Sequence, residues 1–309
     1  MLLLVAALQP AAAQNPAPRA DPEGVVVAEL VVHARTPGPA WWRVSKGSSV
    51  VWVLGVPGGL PKNVRWDSSV LSRRLTGARR LILPPAYGAG LGDLFGALAL
   101  RSKLRSPTPI EPELPPELRA RYLAAASTLG QPPQHYDHWK PVVSGLFMLG
   151  DFRKRAGLDE FQPTNAIRAL AGRKGVKLAP AATYRAIPVM RALAGHITEA
   201  VNLSCLGDSL DEIEAGLGGV RSAAAAWAQG DVAGALTAER GFEKCLASFP
   251  EVDAQIRQTF ADETAAIARD LQTPGVSVAA IPLRSLVAQD GVLSRLQAAG
   301  YEVRTPGSD

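Results

Sequence analysis

One stretch near the start of the chain, residues 39–67, constrains its fold more than any other. Two short β-prone runs rich in Val and Trp, residues 41–44 and 49–54, flank a Lys-Gly pair, and this arrangement predicts a β-hairpin. The second run ends in a glycine-rich loop, residues 55–59, and a helix is predicted from Ser68 to Thr76. A strand, a glycine loop and a helix in this order place a site at the carboxyl end of a strand in an α/β domain.

The composition agrees with a folded α/β chain. The 309 residues are 47% hydrophobic and 20% charged, which is enough apolar material for one large domain or two small ones and excludes wholesale disorder. The net charge of +5 comes from basic residues dispersed in pairs and triplets, and none of these runs is interleaved with aromatic residues. We therefore expect no nucleic-acid partner.

The amino terminus predicts export. Residues 1–13 are apolar and end in Ala11-Ala12-Ala13, which matches the cleavage site of a secretory signal peptide. This run is shorter than the ~20 residues of a membrane span, and no later segment is long and apolar enough to span a bilayer. Cleavage near Ala13 leaves a flexible leader over residues 14–38, in which the β-branched run from Val25 to His33 favours an early strand. The mature protein is predicted to be periplasmic or secreted, with no membrane span.

The chain has two cysteines, Cys205 and Cys245, and no C-x-x-C motif. In an oxidising compartment an even pair favours a structural disulfide, and two buried free thiols are the alternative. Neither cysteine has a histidine nearby in the sequence, so we expect no catalytic cysteine.

The remaining segments predict a mixed α/β fold. Short strands are expected at Arg80–Leu83 and Val176–Ala179, and a long, almost entirely helical region runs from Tyr184 to Leu271. A last α/β unit follows, with strands at Val276–Ile281 and Tyr301–Arg304 around a helix. The fold class predicted is α/β, with a mixed central β-sheet built from amino- and carboxyl-terminal α/β units and a large helical insertion. Further helices are predicted at residues 88–103, 114–129, 139–149, 164–171 (capped by Thr164), and 291–299, and Asp231 is predicted to cap a helix.

Several motifs in this chain resemble those of one family. The matching positions are Pro39, Trp41 or Trp42, Val44, Gly47, Gly55, Leu60 and Pro61, then residues 175–178, Ala226-Trp227-Ala228-Gln229-Gly230-Asp231, residues 290–293, Leu296, Gly300-Tyr301 and Val303. In order and spacing they resemble the TraB/GumN family, whose eukaryotic relatives are the Tiki proteins. The resemblance implies a single domain over residues 39–305 with a helical subdomain at about 184–271, followed by a tail at 306–309.

The same resemblance implies a metal-dependent hydrolytic site that this chain has lost. In the family, two G-x-x-H loops and acidic residues at neighbouring strand ends are thought to hold a divalent ion that activates water. Here Gly58 and Pro282 stand in the places of the two histidines, and Pro84 and Ala179 in the places of two glutamates. Within the first G-x-x-H motif, only Gly55 keeps the family's residue. An Arg-Asn pair expected in the long helix is not apparent between Thr259 and Ile267.

Other residues that bear on a site are few. His135 and His138 are the best metal candidates, because an i, i+3 pair on a helix can chelate an ion. His196 is expected to be packed or exposed and not a ligand. Trp66 and Trp139 are candidates to line a cleft.

These observations predict an exported binding or scaffolding protein of the bacterial envelope, without catalytic activity and without a cofactor. Its partner would be a peptide, a polysaccharide or another envelope protein. One alternative is a metal-dependent protease or hydrolase whose relocated ligands include His135 and His138, with Mn, Co or Zn bound. Another is an accessory role in exopolysaccharide production, which depends on family association alone.

Overall fold

A mixed β-sheet lies at the centre of the structure, a computed structural model that describes residues 21–34, 38–88, 93–159, 162–195, 197–238 and 240–306. The strands are β1 (Trp41–Lys46), β2 (Ser49–Val56), β3 (Leu60–Pro61), β4 (Arg80–Leu83), β5 (Ala86–Gly88), β6 (Leu158–Asp159), β7 (Lys177–Pro180), β8 (Thr183–Arg185), β9 (Gly275–Pro282) and β10 (Glu302–Arg304).

The helices follow the predicted segments closely. They are α1 (Ser69–Leu75), α2 (Asp93–Leu104), α3 (Pro116–Leu129), α4 (Pro141–Arg155), α5 (Thr164–Arg173), α6 (Ala186–Gly195), α7 (Glu199–Ala215), α8 (Gly218–Ala228), α9 (Val232–Ala235), α10 (Gly241–Ala247), α11 (Pro250–Asp270), α12 (Leu283–Val287) and α13 (Val292–Ala298).

Two predicted helix caps had different outcomes. The predicted Asp231 cap is confirmed, because its carboxylate accepts a hydrogen bond from the Gly234 N–H at 3.0 Å. The predicted Thr164 cap is wrong, since Thr164 is the first residue of α5 and Pro163 precedes it without a side-chain cap.

The six-stranded sheet confirms the predicted α/β fold. Its strand order is β10-β1-β2-β9-β4-β7. The hairpin of β1 and β2 is antiparallel, and β10 pairs antiparallel with β1. In contrast, β2, β9, β4 and β7 are all parallel, so their carboxyl ends lie at the same edge. The carboxyl-terminal strand β9 is inserted between β2 and β4, which joins the two ends of the chain in one sheet.

Alternation along the strands supplies an apolar core on both faces of the sheet. Trp42 belongs to the core on one face and Trp41 to the core on the other, as successive strand residues must. The first core includes Trp227 of α8, Ile267 of α11 and residues of α12 and α13. The second core is covered by α1 and α5.

A separate helical core packs residues of α3, α4, α7 and α10. The predicted disulfide is present here, joining Cys205 of α7 to Cys245 of α10 with a Cα–Cα distance of 5.6 Å. Since α3 and α4 precede β7 in the chain, this core is assembled from two stretches of sequence and extends beyond the subdomain expected at residues 184–271.

The amino-terminal segment differs from its prediction in the part that the structure describes. In place of a strand from Val25 to His33 there is a single turn of 3-10 helix at Ala28–Leu30. An isolated β-bridge joins Val26 to Ala288, just after α12. Where a flexible leader was expected, residues 21–34 therefore pack on the domain. The predicted signal peptide, residues 1–13, lies outside the described residues, as does the tail from residue 307.

Among the described residues, no helix combines the length and the apolar composition that crossing a bilayer requires.

Candidate functional site

The carboxyl ends of the four parallel strands form one continuous edge, which we call the carboxyl edge. Its members are the last residues of β2, β9, β4 and β7. Val56 pairs with Pro282, and Leu83 pairs with Pro180, so these strand ends are aligned by the sheet register. Parallel α/β sheets bind their ligands at such an edge.

The structure brings the positions predicted from the family resemblance to this edge. Gly58 lies two residues beyond β2, Pro84 directly follows β4, and Pro282 ends β9. Ala179 pairs with Ile82, one residue before the end of β7. The four positions come from separate parts of the chain, and only the parallel pairing of the strands makes them neighbours.

These residues do not fit a divalent metal ion. A glycine, two prolines and an alanine have no side-chain donor, whereas such an ion needs three or more protein ligands from His, Cys, Asp or Glu. In the part of the chain that the structure describes, no three residues of those types are grouped closely enough to hold an ion.

Gly55, the one retained glycine of the first loop, has a packing role. Its carbonyl oxygen accepts a hydrogen bond from the Trp227 indole N–H at 2.7 Å. A Cβ at this position would lie 2.5 Å from the Leu283 side chain and 3.1 Å from Trp42. Glycine is therefore required so that α8 and α12 can approach the strand.

A buried acid that the sequence analysis missed lies beside this edge. Glu263 of α11 is 0% exposed, and its Oε2 accepts a hydrogen bond from the Ser285 hydroxyl at 3.1 Å. Ser285 is in α12, directly after Pro282 at the end of β9. The second carboxyl oxygen, Oε1, is buried, and no described residue forms a hydrogen bond with it. The sequence signal was available, because Phe260, Glu263 and Ile267 recur at helical spacing on the face that packs into the core.

Burial changes the protonation of this acid. It raises the pKa of Glu263 from 4.5 to about 8, against a decrease from the Ser285 hydrogen bond and with smaller increases from the Glu23 and Asp262 carboxylates. At neutral pH the side chain is therefore largely protonated. A protonated carboxyl can donate or accept a hydrogen bond.

Charged residues of the amino-terminal segment lie next to Glu263. Asp21 and Glu23 both form ion pairs with the Arg240 guanidinium, at 2.9 Å for Asp21. Burial raises the pKa of Glu23 and lowers that of Arg284, which donates a hydrogen bond to the Leu236 carbonyl. The amino-terminal segment is thus attached to the domain by partly buried charge pairs.

On the other side of Glu263, the Tyr184 hydroxyl donates a hydrogen bond to Asp262 at 2.7 Å, and burial raises the pKa of this tyrosine to about 12.

A cavity of about 440 Å³ opens next to the loop that follows β3. We call it the Trp66 pocket, and its lining residues are Val64, Arg65, Trp66, Asp67, Ala225, Ala228 and Gln229. The Trp66 ring packs edge-on against Trp227, with ring centroids 5.4 Å apart. This confirms that Trp66 lines a cleft. Trp139 does not line this pocket, and its ring packs against Phe147 on α4.

The two candidate histidines lie between α3 and α4, on either side of Tyr136 and Asp137, and Tyr136 belongs to the helical core. His135 ends a short 3-10 helix, and His138 lies in the following turn, so the pair is not on a regular helix. The His135 Nε2 is 3.6 Å from the Asp151 carboxylate. Between the histidines, Asp137 is buried and accepts hydrogen bonds from the Glu111 N–H and the Tyr122 hydroxyl. His196 lies outside the described residues.

Comparison with known proteins supplies one match. The model of the TraB/PrgY/gumN family matches residues 40–305. No curated protein and no solved structure matches the chain.

Proposed function

Because the chain belongs to the TraB/PrgY/gumN family, we propose that it keeps this fold as an exported binding or scaffolding protein of the bacterial envelope and does not hydrolyse its ligand. One observation carries the proposal. The four positions at which the family resemblance implies metal ligands meet at the carboxyl edge, and here they are Gly58, Pro84, Ala179 and Pro282.

Glu263 does not restore the lost chemistry. Metal-assisted hydrolysis needs several fixed ligands and an open coordination position for water. Glu263 provides a single carboxyl, which is enclosed in the protein. Its partner, the Ser285 hydroxyl, donates its hydrogen to Glu263 and is a weak ligand for a divalent ion.

The Trp66 pocket offers a surface that suits a ligand. Its volume of about 440 Å³ is in the usual range of small-molecule sites, roughly 300–1,000 Å³. The half-buried Trp66 ring offers an apolar surface, while Arg65, Asp67 and Gln229 add polar groups at its rim. An aromatic ring next to polar groups suits a peptide or a polysaccharide segment, which present apolar and hydrogen-bonding surfaces together.

Export is supported by two features. The apolar start of the chain ends in a signal-peptidase motif at Ala11-Ala12-Ala13. The Cys205–Cys245 disulfide suits an oxidising compartment.

Metal analysis of the purified protein tests the proposal. After dialysis against Mn²⁺, Co²⁺ or Zn²⁺ and removal of the free ion, we expect far less than one equivalent of bound metal and no metal-dependent cleavage of casein or denatured protein. One retained equivalent that is lost in Glu263→Gln would refute the proposal, because it would place a metal at the carboxyl edge.

The second candidate is a hydrolase with relocated ligands, which the 3.6 Å approach of His135 to Asp151 favours. In that case a metal equivalent would be retained by Glu263→Gln and lost in a His135→Ala/His138→Ala variant. Both histidines are exposed, so this variant is expected to fold normally.

Ligand binding has its own test. A peptide array and a glycan array would be probed with the wild-type protein and with Trp66→Ala, for which we expect a signal reduced about tenfold or more. Tyr87→Ala is the matched control, because Tyr87 is a 61% exposed aromatic residue outside the pocket. Equal signals from wild type and Trp66→Ala would show that the ligand does not bind in the Trp66 pocket.

A further inference from the structure

Helix α2 exposes large apolar side chains that the domain leaves uncovered. Phe95 is 76% exposed and Leu98 is 58% exposed. The helix is attached by a narrow stripe of Gly96, Leu100 and the half-buried Leu104, spaced at i, i+4. At Gly96 a Cβ would lie 2.7 Å from the Ile187 side chain, so this stripe packs closely on α6. Phe95 and Leu98 are on the opposite side of the helix, and they are directed outward.

Basic residues flank the exposed apolar side chains. Arg101, Lys103 and Arg105 are all exposed in the last turn of α2 and just beyond it. With about 100° between successive helix residues, Arg101 falls at the edge of the outward face, Lys103 falls next to the direction of Gly96 at the margin of the attached stripe, and Arg105 follows the end of the helix. The carboxyl-terminal half of α2 thus combines an apolar ridge with exposed cations near it.

The same surface continues onto the start of α4. The Arg105 guanidinium lies 5.6 Å from the centre of the Trp139 ring, and Trp139 packs against Phe147 with centroids 5.0 Å apart. Leu146 and Phe147 are each about two-fifths exposed. We call the combined surface the α2 patch, and its residues are Phe95, Leu98, Arg101, Lys103, Arg105, Trp139, Leu146 and Phe147.

The chemistry of the patch restricts what can cover it. A symmetric pair of copies would place like-charged arginines and lysines opposite each other, since a two-fold interface uses the same surface on both subunits. An anionic bilayer surface matches both parts of the patch. Its headgroups attract Arg and Lys, while Phe and Leu enter the acyl boundary and Trp sits at the interface.

We infer that the α2 patch binds the protein peripherally to a membrane surface rich in anionic lipid. With 12 residues, α2 is shorter than the ~20 residues of a spanning helix, so it lies along the surface and does not cross it. This inference does not depend on the Trp66 pocket or on the carboxyl edge.

Co-sedimentation of the full chain with vesicles tests the inference. We expect binding to phosphatidylcholine vesicles that contain about 30% phosphatidylglycerol, and binding at least about tenfold weaker to phosphatidylcholine alone. Raising the salt to about 0.5 M is expected to weaken binding severalfold, since the attraction of the cations is screened.

Two variants separate the apolar and the charged contributions. Phe95→Ser/Leu98→Ser is expected to reduce binding about tenfold or more, and Arg101→Gln/Lys103→Gln to remove most of the preference for phosphatidylglycerol. Leu178→Ser is the apolar control, because Leu178 is 41% exposed on the edge strand β7. Arg168→Gln/Arg173→Gln is the charge control on the exposed side of α5. Both controls are expected to bind like the wild type.

Three results would overturn the inference. They are absence of wild-type binding to the anionic vesicles, equal binding by the patch variants and the controls, and a dimer in sedimentation velocity that Phe95→Ser/Leu98→Ser dissociates. The last result would make the patch an interface between two copies.

The patch variants are expected to fold normally. The four side chains that they replace, those of Phe95, Leu98, Arg101 and Lys103, are exposed. Their circular dichroism spectra should therefore match the wild type, and a loss of binding would then report on the patch itself.

Discussion

Helix α11 carries two buried acids on the same face, two turns apart, in opposite surroundings. Asp270 lies at the amino ends of the parallel strands, where its carboxylate is 2.9 Å from the Arg80 Nε and 3.1 Å from the Arg79 Nη2. Glu263 lies beside the carboxyl edge, where the Ser285 hydroxyl is its one hydrogen-bond partner among the described residues. Both side chains are almost completely buried.

The difference shows what a buried carboxylate needs in this fold. At the amino end, Arg79 and Arg80 precede and begin β4, so the chain supplies cations from its own sequence. At the carboxyl edge, the family resemblance implies a bound cation held by further side chains, and this chain lacks those side chains. Without a cation the cost of burying a charge is removed by protonation instead.

The largest expected effect comes from removing the charge of Asp270, the buried acid that is paired with Arg79 and Arg80. Asp270→Asn should destabilise the protein by about 3 kcal/mol, because it leaves two partly buried guanidinium groups without their counter-charge. Unfolding in guanidinium chloride measures this change.

Asp290→Asn is the matched control for that measurement. Asp290 is 71% exposed and 3.9 Å from Arg257, so its loss should cost less than about 0.5 kcal/mol. Equal effects at the two positions would show that the buried Asp270 stabilises the protein no more than the exposed Asp290 does.

The next effect is a dependence of stability on pH, and it concerns Glu263, the buried acid that has no cation beside it in the part of the chain that the structure describes. Folded Glu263 keeps its proton up to about pH 8, whereas the unfolded side chain releases it near its ordinary value of 4.5. The protein therefore loses stability as the pH rises between these values, with no further loss from this group above them. Glu263→Gln lacks this dependence, so its stability relative to wild type should increase by on the order of 3 kcal/mol between about pH 5 and about pH 9.

Denaturant unfolding of both proteins at the two pH values checks this prediction. A constant difference between wild type and Glu263→Gln would show that Glu263 does not keep its proton in the folded protein. A difference that decreased as the pH rose would show that a cation stabilises the carboxylate.

A smaller effect is expected from Gly55 and Gly58, two of the three glycines of the first loop. Gly55→Ala should destabilise the protein by about 1–3 kcal/mol, since its Cβ would contact Leu283 at 2.5 Å. At Gly58 nothing lies within 4 Å of an added Cβ, so Gly58→Ala should change stability by less than about 0.5 kcal/mol. Thermal unfolding of the two variants separates them. A large cost at Gly58 would mean that this position is packed and is not an open part of the carboxyl edge.

Local sequence patterns predicted much of the fold. The hairpin of β1 and β2, the strand β9 and the Cys205–Cys245 disulfide all follow from short-range features: β-branched runs, turn residues and an even cysteine pair. The β-branched runs and the turn residues act within a few residues of the sequence. The disulfide could be predicted because the chain has two cysteines, which leaves one possible pair.

The features that were missed depend on contacts between distant parts of the chain. The amino-terminal segment is fixed by Asp21 and Glu23 pairing with Arg240, more than two hundred residues away in the sequence. The burial of Glu263 depends on α11 packing against α12. The sequence placed Gly58, Pro84, Ala179 and Pro282 at strand ends, but their alignment at one edge requires the strand order, which no single segment encodes.

The most direct test of the central claim is anomalous diffraction from crystals of the protein grown or soaked with Mn²⁺. We predict no anomalous peak at the carboxyl edge, with Gly58, Pro84 and Pro282 as positioned here and Glu263 bonded only to Ser285. An anomalous peak within coordination distance of Glu263, completed by ligands from neighbouring strand ends, would contradict the account.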